Sequence, residues 1–277
     1  MVVLALDTTS RQGSSAVAID GRVVLELASD ASLPQAARVP SELQALLTHA
    51  QLALRDVDAF AVAVGPGSFT GLRVGIATMQ GLAFDAGKPL IGVSALDALA
   101  TIAEELGTRP GQVGTVDPTP GPGGPGLHGP QRRLAGEPGL LTATWIDAWR
   151  GEVYAALYDG VTETEEVTVE RPQDILDRLS GARTVRLKAD PTREAPDPTG
   201  EVLFIGDGVA SHVAAIRDAL GSRAAFATEL TPALAGAIAR RAAAALAAGH
   251  RPAADDIRPL YVRRPDAEIA RDARVTR

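Results

Sequence analysis

Residues 4–21 read LALDTTSRQGSSAVAIDG, and residues 144–160 read TWIDAWRGEVYAALYDG. Each stretch opens on an apolar run that ends in an aspartate. Each then crosses a short polar loop, returns through a second apolar run and closes on Asp-Gly. An Asp-Gly pair between apolar segments is a strong hairpin signal, because a two-residue turn of this kind needs positive φ. The aspartates are spaced alike, 20 − 7 = 13 residues in the first stretch and 159 − 147 = 12 in the second. The chain therefore reads as a duplication in which each hairpin leads through a third strand to a helix, a strand and another helix.

The rest of the pattern fits that frame. Residues 1–6, 13–19 and 22–28 read as the three strands of the first unit. Leu43, Leu46, Leu47, Ala50 and Leu54 recur at helical spacing, and residues 59–64 form a short, wholly apolar strand. Gly65-Pro66-Gly67-Ser68 turns into a helix over 70–84, which Gly87 and Pro89 stop. In the second unit, 140–146 and 152–158 read as strands, 171–179 as a helix and 202–205 as a buried strand. Thr231 as N-cap, Pro232 at the first helical position and Gly249 past the end bracket the last helix. This predicts a first lobe over 1–107, a Gly/Pro-rich flexible insertion over 108–139 and a second lobe over 140–250. A smaller Pro-rich insertion is expected near 190–200, and the C-terminal segment 251–277 is expected to return to the first lobe.

Composition limits the chemistry. The 277 residues include no cysteine, which excludes disulfides, thiolate metal sites and a cysteine nucleophile. The formal net charge is −7, and lysine occurs only at 88 and 188. Phosphate backbones are held by clustered Lys and Arg, so strong binding of RNA by this chain alone is not expected. No apolar run approaches a membrane span, and the N-terminus lacks the basic start of a secretory signal. A soluble, cytoplasmic protein is the expectation. Histidines at 49, 128, 212 and 250 are isolated from one another, so no metal site is expected.

Asp7-Thr8-Thr9-Ser10 follows a buried strand and enters a hairpin. It lacks the glycines that let a backbone wrap phosphate closely, so an aspartate and hydroxyls satisfying a tight turn is the favoured reading. Gly65–Gly71 joins strand to helix but has no P-loop lysine and no dinucleotide-type glycine spacing, so it reads as a turn with a helix cap. Gly206-Asp207-Gly208 lies between a strand and a helix. In the helix over 70–84, Leu72, Ile76, Met79 and Ala83 form one apolar stripe suited to a sheet. Gly71, Val74, Gly75, Thr78, Gly81 and Leu82 form a second stripe of mostly small residues, which is expected to face outward as a partner interface, with burial within the chain as the alternative.

The tandem βββαβα order resembles the actin/Hsp70/sugar-kinase (ASKHA) superfamily, which implies that the loop Asp7-Thr8-Thr9-Ser10 meets nucleotide phosphates and Mg²⁺. GPGSFTGLRVGIATMQGLA at 65–83, with LALDTTS, DAWRGEVYAALYDG, FIGDGV and PLYVR, is more specific and resembles the TsaB family, also called YeaZ. The likeness covers nearly the whole chain apart from the two insertions. It implies common ancestry with TsaD, which transfers a threonylcarbamoyl group to the adenosine beside the tRNA anticodon. It further implies a non-catalytic chain that pairs with a TsaD-like subunit and a TsaE-like ATPase, and that meets tRNA only through the complex. Asp7, Thr8, Thr9, Ser10, Gly206 and Gly208 would then be degenerate nucleotide-site positions. No cofactor or membrane would be needed. ATP or ADP within the complex and a homodimer of the isolated chain remain open. One departure stands out: where the family often carries Arg-x-His-Ser-Glu, this chain has Arg38-Val39-Pro40-Ser41-Glu42, which places a proline near a helix start. A small-molecule kinase or ATPase of the same superfamily is the alternative, with a glycoprotease-like metallopeptidase behind it.

Overall fold

A strand covered on both faces needs apolar side chains on both, and residues 59–65, AFAVAVG, supply two different kinds. In the computed structural model of the chain, which describes residues 1–108, 113–114, 141–181 and 200–262, this strand is β4 (Ala59–Gly65). Phe60 and Val62 join an outer core, while Ala59, Ala61 and Ala63 face inward to another. β1 (Val2–Asp7) divides the same way, with Leu4 and Leu6 outward and Val3 and Ala5 inward. Side chains alternate across a strand, so one strand can meet bulky packing on one face and close helix approach on the other.

The first sheet has the order β3-β2-β1-β4-β5, with β2 (Ser14–Ile19), β3 (Arg22–Ala28) and β5 (Leu90–Ser94). β1 pairs antiparallel with β2 and parallel with β4. The β2–β3 turn carries Asp20 at φ 49° and Gly21 at φ 77°, as the Asp-Gly signal requires. α1 (Gln35–His49) and α2 (Phe69–Ala86) cover the outer face. Leu72, Ile76, Met79 and Ala83 of α2 are buried, and the helix ends at Gly87 in the left-handed conformation.

After α3 (Ala95–Thr108), the second sheet repeats the plan. Its order is β10-β8-β7-β11-β12, from β7 (Leu141–Asp147), β8 (Val153–Asp159), β10 (Thr168–Glu170), β11 (Val202–Ile205) and β12 (Ala224–Ala227). The short β6 (Val113–Gly114) extends the β12 edge, and β9 (Thr162–Glu163) pairs with β8. α4 (Pro172–Leu179) and α6 (Val213–Leu220) cover its outer face, and a short α5 (Asp207–Ala210) follows β11.

Between the sheets lie α3 and α7 (Ala235–Ala247), in a third core shared by both lobes. α7 comes after the second sheet in sequence but packs on β1 to β5 of the first, whereas α3 follows the first sheet and packs mainly on β7, β8 and β11 of the second. The result is a layered α/β molecule of two lobes with the same strand plan.

Three local expectations differ from the structure. The last helix starts at Ala235, not Pro232, because its first amides find acceptors elsewhere: Leu234 N and Ala235 N donate to Ser14 Oγ, and Gly236 N donates to Glu26. Pro40 lies inside α1, five residues past its first residue, so the helix begins earlier than Pro40 suggested. Val113 and Gly114, within the expected insertion, pair antiparallel with β12. The remainder of 109–140, the segment 182–199 and residues 263–277 lie outside the described residues. Among the described residues no helix is long and apolar enough to cross a membrane.

Candidate functional site

Asp7 ends β1 and Asp207 opens α5, and both line a cavity of about 330 Å³ between the lobes. Asp7 is only 3% exposed. Its Oδ1 accepts from Thr9 N at 2.8 Å and from Thr9 Oγ1 at 2.6 Å. The second lobe repeats this device: Asp147 Oδ1 accepts from Trp149 N at 2.8 Å. An aspartate bonding two residues ahead makes the same turn after the first strand of each lobe. Asp147 N in turn donates to Asp207 Oδ1 at 2.9 Å.

Burial lifts the Asp7 carboxyl above the usual carboxylate range. The two Thr9 bonds pull it back, and the negative charge of Asp207 lifts it again. Asp207 is raised by its own burial, against the Asp147 amide and with repulsion from the Asp147 carboxylate. A site built this way disfavours a second negative charge beside it unless a cation accompanies that charge. Among the described residues no three His, Asp or Glu side chains converge as a metal cluster.

Of the nucleotide-site candidates, Asp7, Thr9 and Ser10 line the cavity. Thr8 does not: it is buried, and its hydroxyl donates to Gly71 O at 2.8 Å. Gly206 and Gly208 serve packing against β7. A Cβ on Gly206 would lie 1.9 Å from Trp145 O, and one on Gly208 would lie 3.0 Å from the Ile146 carbonyl carbon. Asp207, between them, is the group that reaches the cavity. Local sequence offered no way to rank it above its neighbours.

The small stripe of α2 splits into two. Gly71 and Gly75 are buried, and added Cβ atoms would stand 2.0 Å from Thr8 O and 2.2 Å from Thr8 Oγ1. These two positions receive the β1–β2 loop of the same chain, so the expectation that they form an outward face is corrected. Thr78, Gly81 and Leu82 do lie outward, beside Leu43, Leu47 and Leu52, along an apolar groove of about 710 Å³ between α1 and α2. Val74 lines a neighbouring hollow with Leu33 and Trp149. Beyond Gly81, Phe84 is 86% exposed. An exposed apolar groove, with an exposed aromatic further along the same helix, is a feature of interaction surfaces.

A family model described as TsaD, tRNA N6-adenosine threonylcarbamoyltransferase, matches residues 21–117. The TsaB protein of Haemophilus influenzae, named for tRNA threonylcarbamoyladenosine biosynthesis, is 38% identical over 117 residues, 42% of this chain and 49% of that one. The TsaB protein of Escherichia coli is 33% identical over 184 residues, 65% of this chain and 66% of that one. The match therefore spans about half the length of the first relative and 66% of the second. Among solved structures, YeaZ from Pseudomonas aeruginosa superposes with a TM-score of 0.62 at 25% identity, covering 94% of this chain and 100% of that chain. The shared lobe plan, the α2 block at 65–83 and these matches agree, and the chain belongs to the TsaB (YeaZ) family.

Proposed function

We propose that this chain is the non-catalytic partner of a TsaD-like transferase in threonylcarbamoylation of tRNA, docking through the outer face of α1 and α2. The observation that carries the reading is the open apolar groove between these helices, with Thr78, Gly81, Leu82 and the exposed Phe84 along α2. Small residues at such a face permit close approach of a partner helix. A stable complex buries on the order of 1,600 Å² in total, which the groove and its rim can serve as the apolar centre of.

The cleft supports a non-catalytic role. The Thr8 and Thr9 hydroxyl protons are committed to Gly71 O and Asp7 Oδ1. Burial of the Asp7 and Asp207 carboxyls disfavours a further negative charge beside them unless a cation comes with it. Nucleotide and a TsaE-like ATPase enter the proposal at the level of the complex. The chain's formal charge of −7 is consistent with tRNA being held chiefly by other subunits.

The test is Gly81→Arg, at a position where an added Cβ meets nothing within 4 Å. The variant should keep its circular dichroism spectrum and lose at least about tenfold in affinity for the TsaD-like subunit, roughly 1.4 kcal/mol. It should also lose its support of tRNA modification. A folded variant that binds with unchanged affinity moves the interface away from this groove. Self-association of the isolated chain that the same variant abolishes would mean that a second copy uses the same face.

A further inference from the structure

Five consecutive carbonyls of the cleft loop are held from behind by the two helices that form the outer groove. Gln35 Nε2, in the first turn of α1, donates to Thr8 O at 3.0 Å and to Ser10 O at 2.8 Å. Ser68 N, at the start of α2, donates to Thr9 O at 2.7 Å. Arg38 Nη2 donates to Arg11 O at 3.1 Å and to Gln12 O at 2.7 Å. Arg38 is 3% exposed, and its Nη1 donates to Glu42 Oε1 at 3.1 Å, one turn further along α1. Glu42 is fixed in turn by Ser29 Oγ and Asp30 N. On the other side, Thr8 is seated in the gap left by Gly71 and Gly75 of α2.

We infer that Arg38, braced by Glu42 and assisted by Gln35, is a positioning residue that couples the cleft loop to the outer face of α1 and α2. A partner that fixes the spacing of the two helices also orders the loop behind them, and a ligand that orders the loop favours the helix spacing the partner needs. Such coupling is reciprocal by thermodynamic necessity. The planar guanidinium is required because one nitrogen must face two carbonyls while the other meets a carboxylate. A lysine ammonium offers a single point charge and cannot span that geometry. The inference depends on the proposed docking face only for the identity of what occupies the groove.

Hydrogen–deuterium exchange of the full chain tests it, read at the peptide covering residues 8–13 with and without saturating TsaD-like subunit. In the unmodified chain the partner should slow loop exchange by about fivefold or more. In Arg38→Lys the loop should show little protection on binding, although α1 and α2 remain protected. Gln35→Ala gives the same comparison without disturbing a buried charge. Protection of α1 and α2 with an unchanged loop, or equal loop protection in Arg38→Lys, overturns the coupling. If the partner leaves α1 and α2 unprotected, the docking face is wrong, and a partner-free arm decides the coupling alone. Leu82→Ala, which loosens the groove wall, should speed loop exchange in the Arg38 chain and not in the Arg38→Lys chain. Equal effects in both, or none in either, overturn it.

Discussion

Asp7 shows what a single buried carboxyl contributes. Its folded-state pKa is raised chiefly by burial, so folding favours the protonated form. The stability this confers is complete at pH below the unfolded-state value and is lost as pH rises through the raised folded-state value. Asp7→Asn removes that loss while leaving an oxygen to accept from Thr9. The variant is expected to unfold at a higher urea concentration than the unmodified chain at pH 7, with the gap narrowing towards pH 4. An unchanged gap across that range would mean burial does not govern this group. The glycines of α2 make the complementary point about shape. Gly81→Ala meets open space and should stabilise the chain by up to about 1 kcal/mol, the helix-propensity difference. Gly75→Ala drives a Cβ to 2.2 Å from Thr8 Oγ1 and should destabilise by about 1–3 kcal/mol, as overpacking does. Denaturant midpoints of the two variants should move in opposite directions. Nothing in the local sequence separates these glycines, since Thr8 lies 63 residues from Gly71. The spacing of the stripe was legible; which of its members face Thr8 was not.

At the scale of elements, periodicity served best where a whole face is buried. The Leu72–Ile76–Met79–Ala83 stripe does face its sheet, and the first hairpin closes at Asp20-Gly21 as expected, whereas in the second Asp159 pairs with Thr162 and the turn falls one residue later, at Gly160-Val161. Termini were legible only where the cap is local, as with Ser68 accepting from Gly71 N and Gly87 ending α2. The α7 terminus failed that condition, because its acceptors come from β2 and β3, more than 200 residues earlier. Ser14 Oγ alone accepts from two α7-end amides, at 3.1 and 3.0 Å, and is fully buried. Ser14→Ala should therefore cost about 1–2 kcal/mol, the usual loss for an N-cap. A thermal melt should register the loss, with faster amide exchange confined to the start of α7. Arg38 and Glu42 drew notice in the sequence only through the proline between them, and their ion pair came with the fold. So did the grip of Arg38 on the Arg11 and Gln12 carbonyls.

For the molecule as a whole, the exchange of α3 and α7 between sheets decides cooperativity. The two sheets share one inner core, in which alanines on β4 and α7 let the helix approach closely. A fragment of residues 1–108 would leave the α7 side of its sheet bare. It is expected to bind a hydrophobic dye and melt without a sharp transition, whereas the full chain should unfold in a single step. A cooperative melt of the fragment would show that the first lobe stands alone. The duplication was legible because each lobe repeats its hairpin; the exchange was not, because an apolar helix face does not name the sheet it covers. The same exchange sets a schedule for synthesis. The first sheet ends at Ser94 and its inner cover ends at Ala247, so roughly 150 residues must still leave the ribosome before that cover is complete. At about 5–20 residues per second, the nascent chain spends on the order of 8–30 seconds with one apolar face of a finished sheet exposed. That interval is when a nascent-chain chaperone has something to hold.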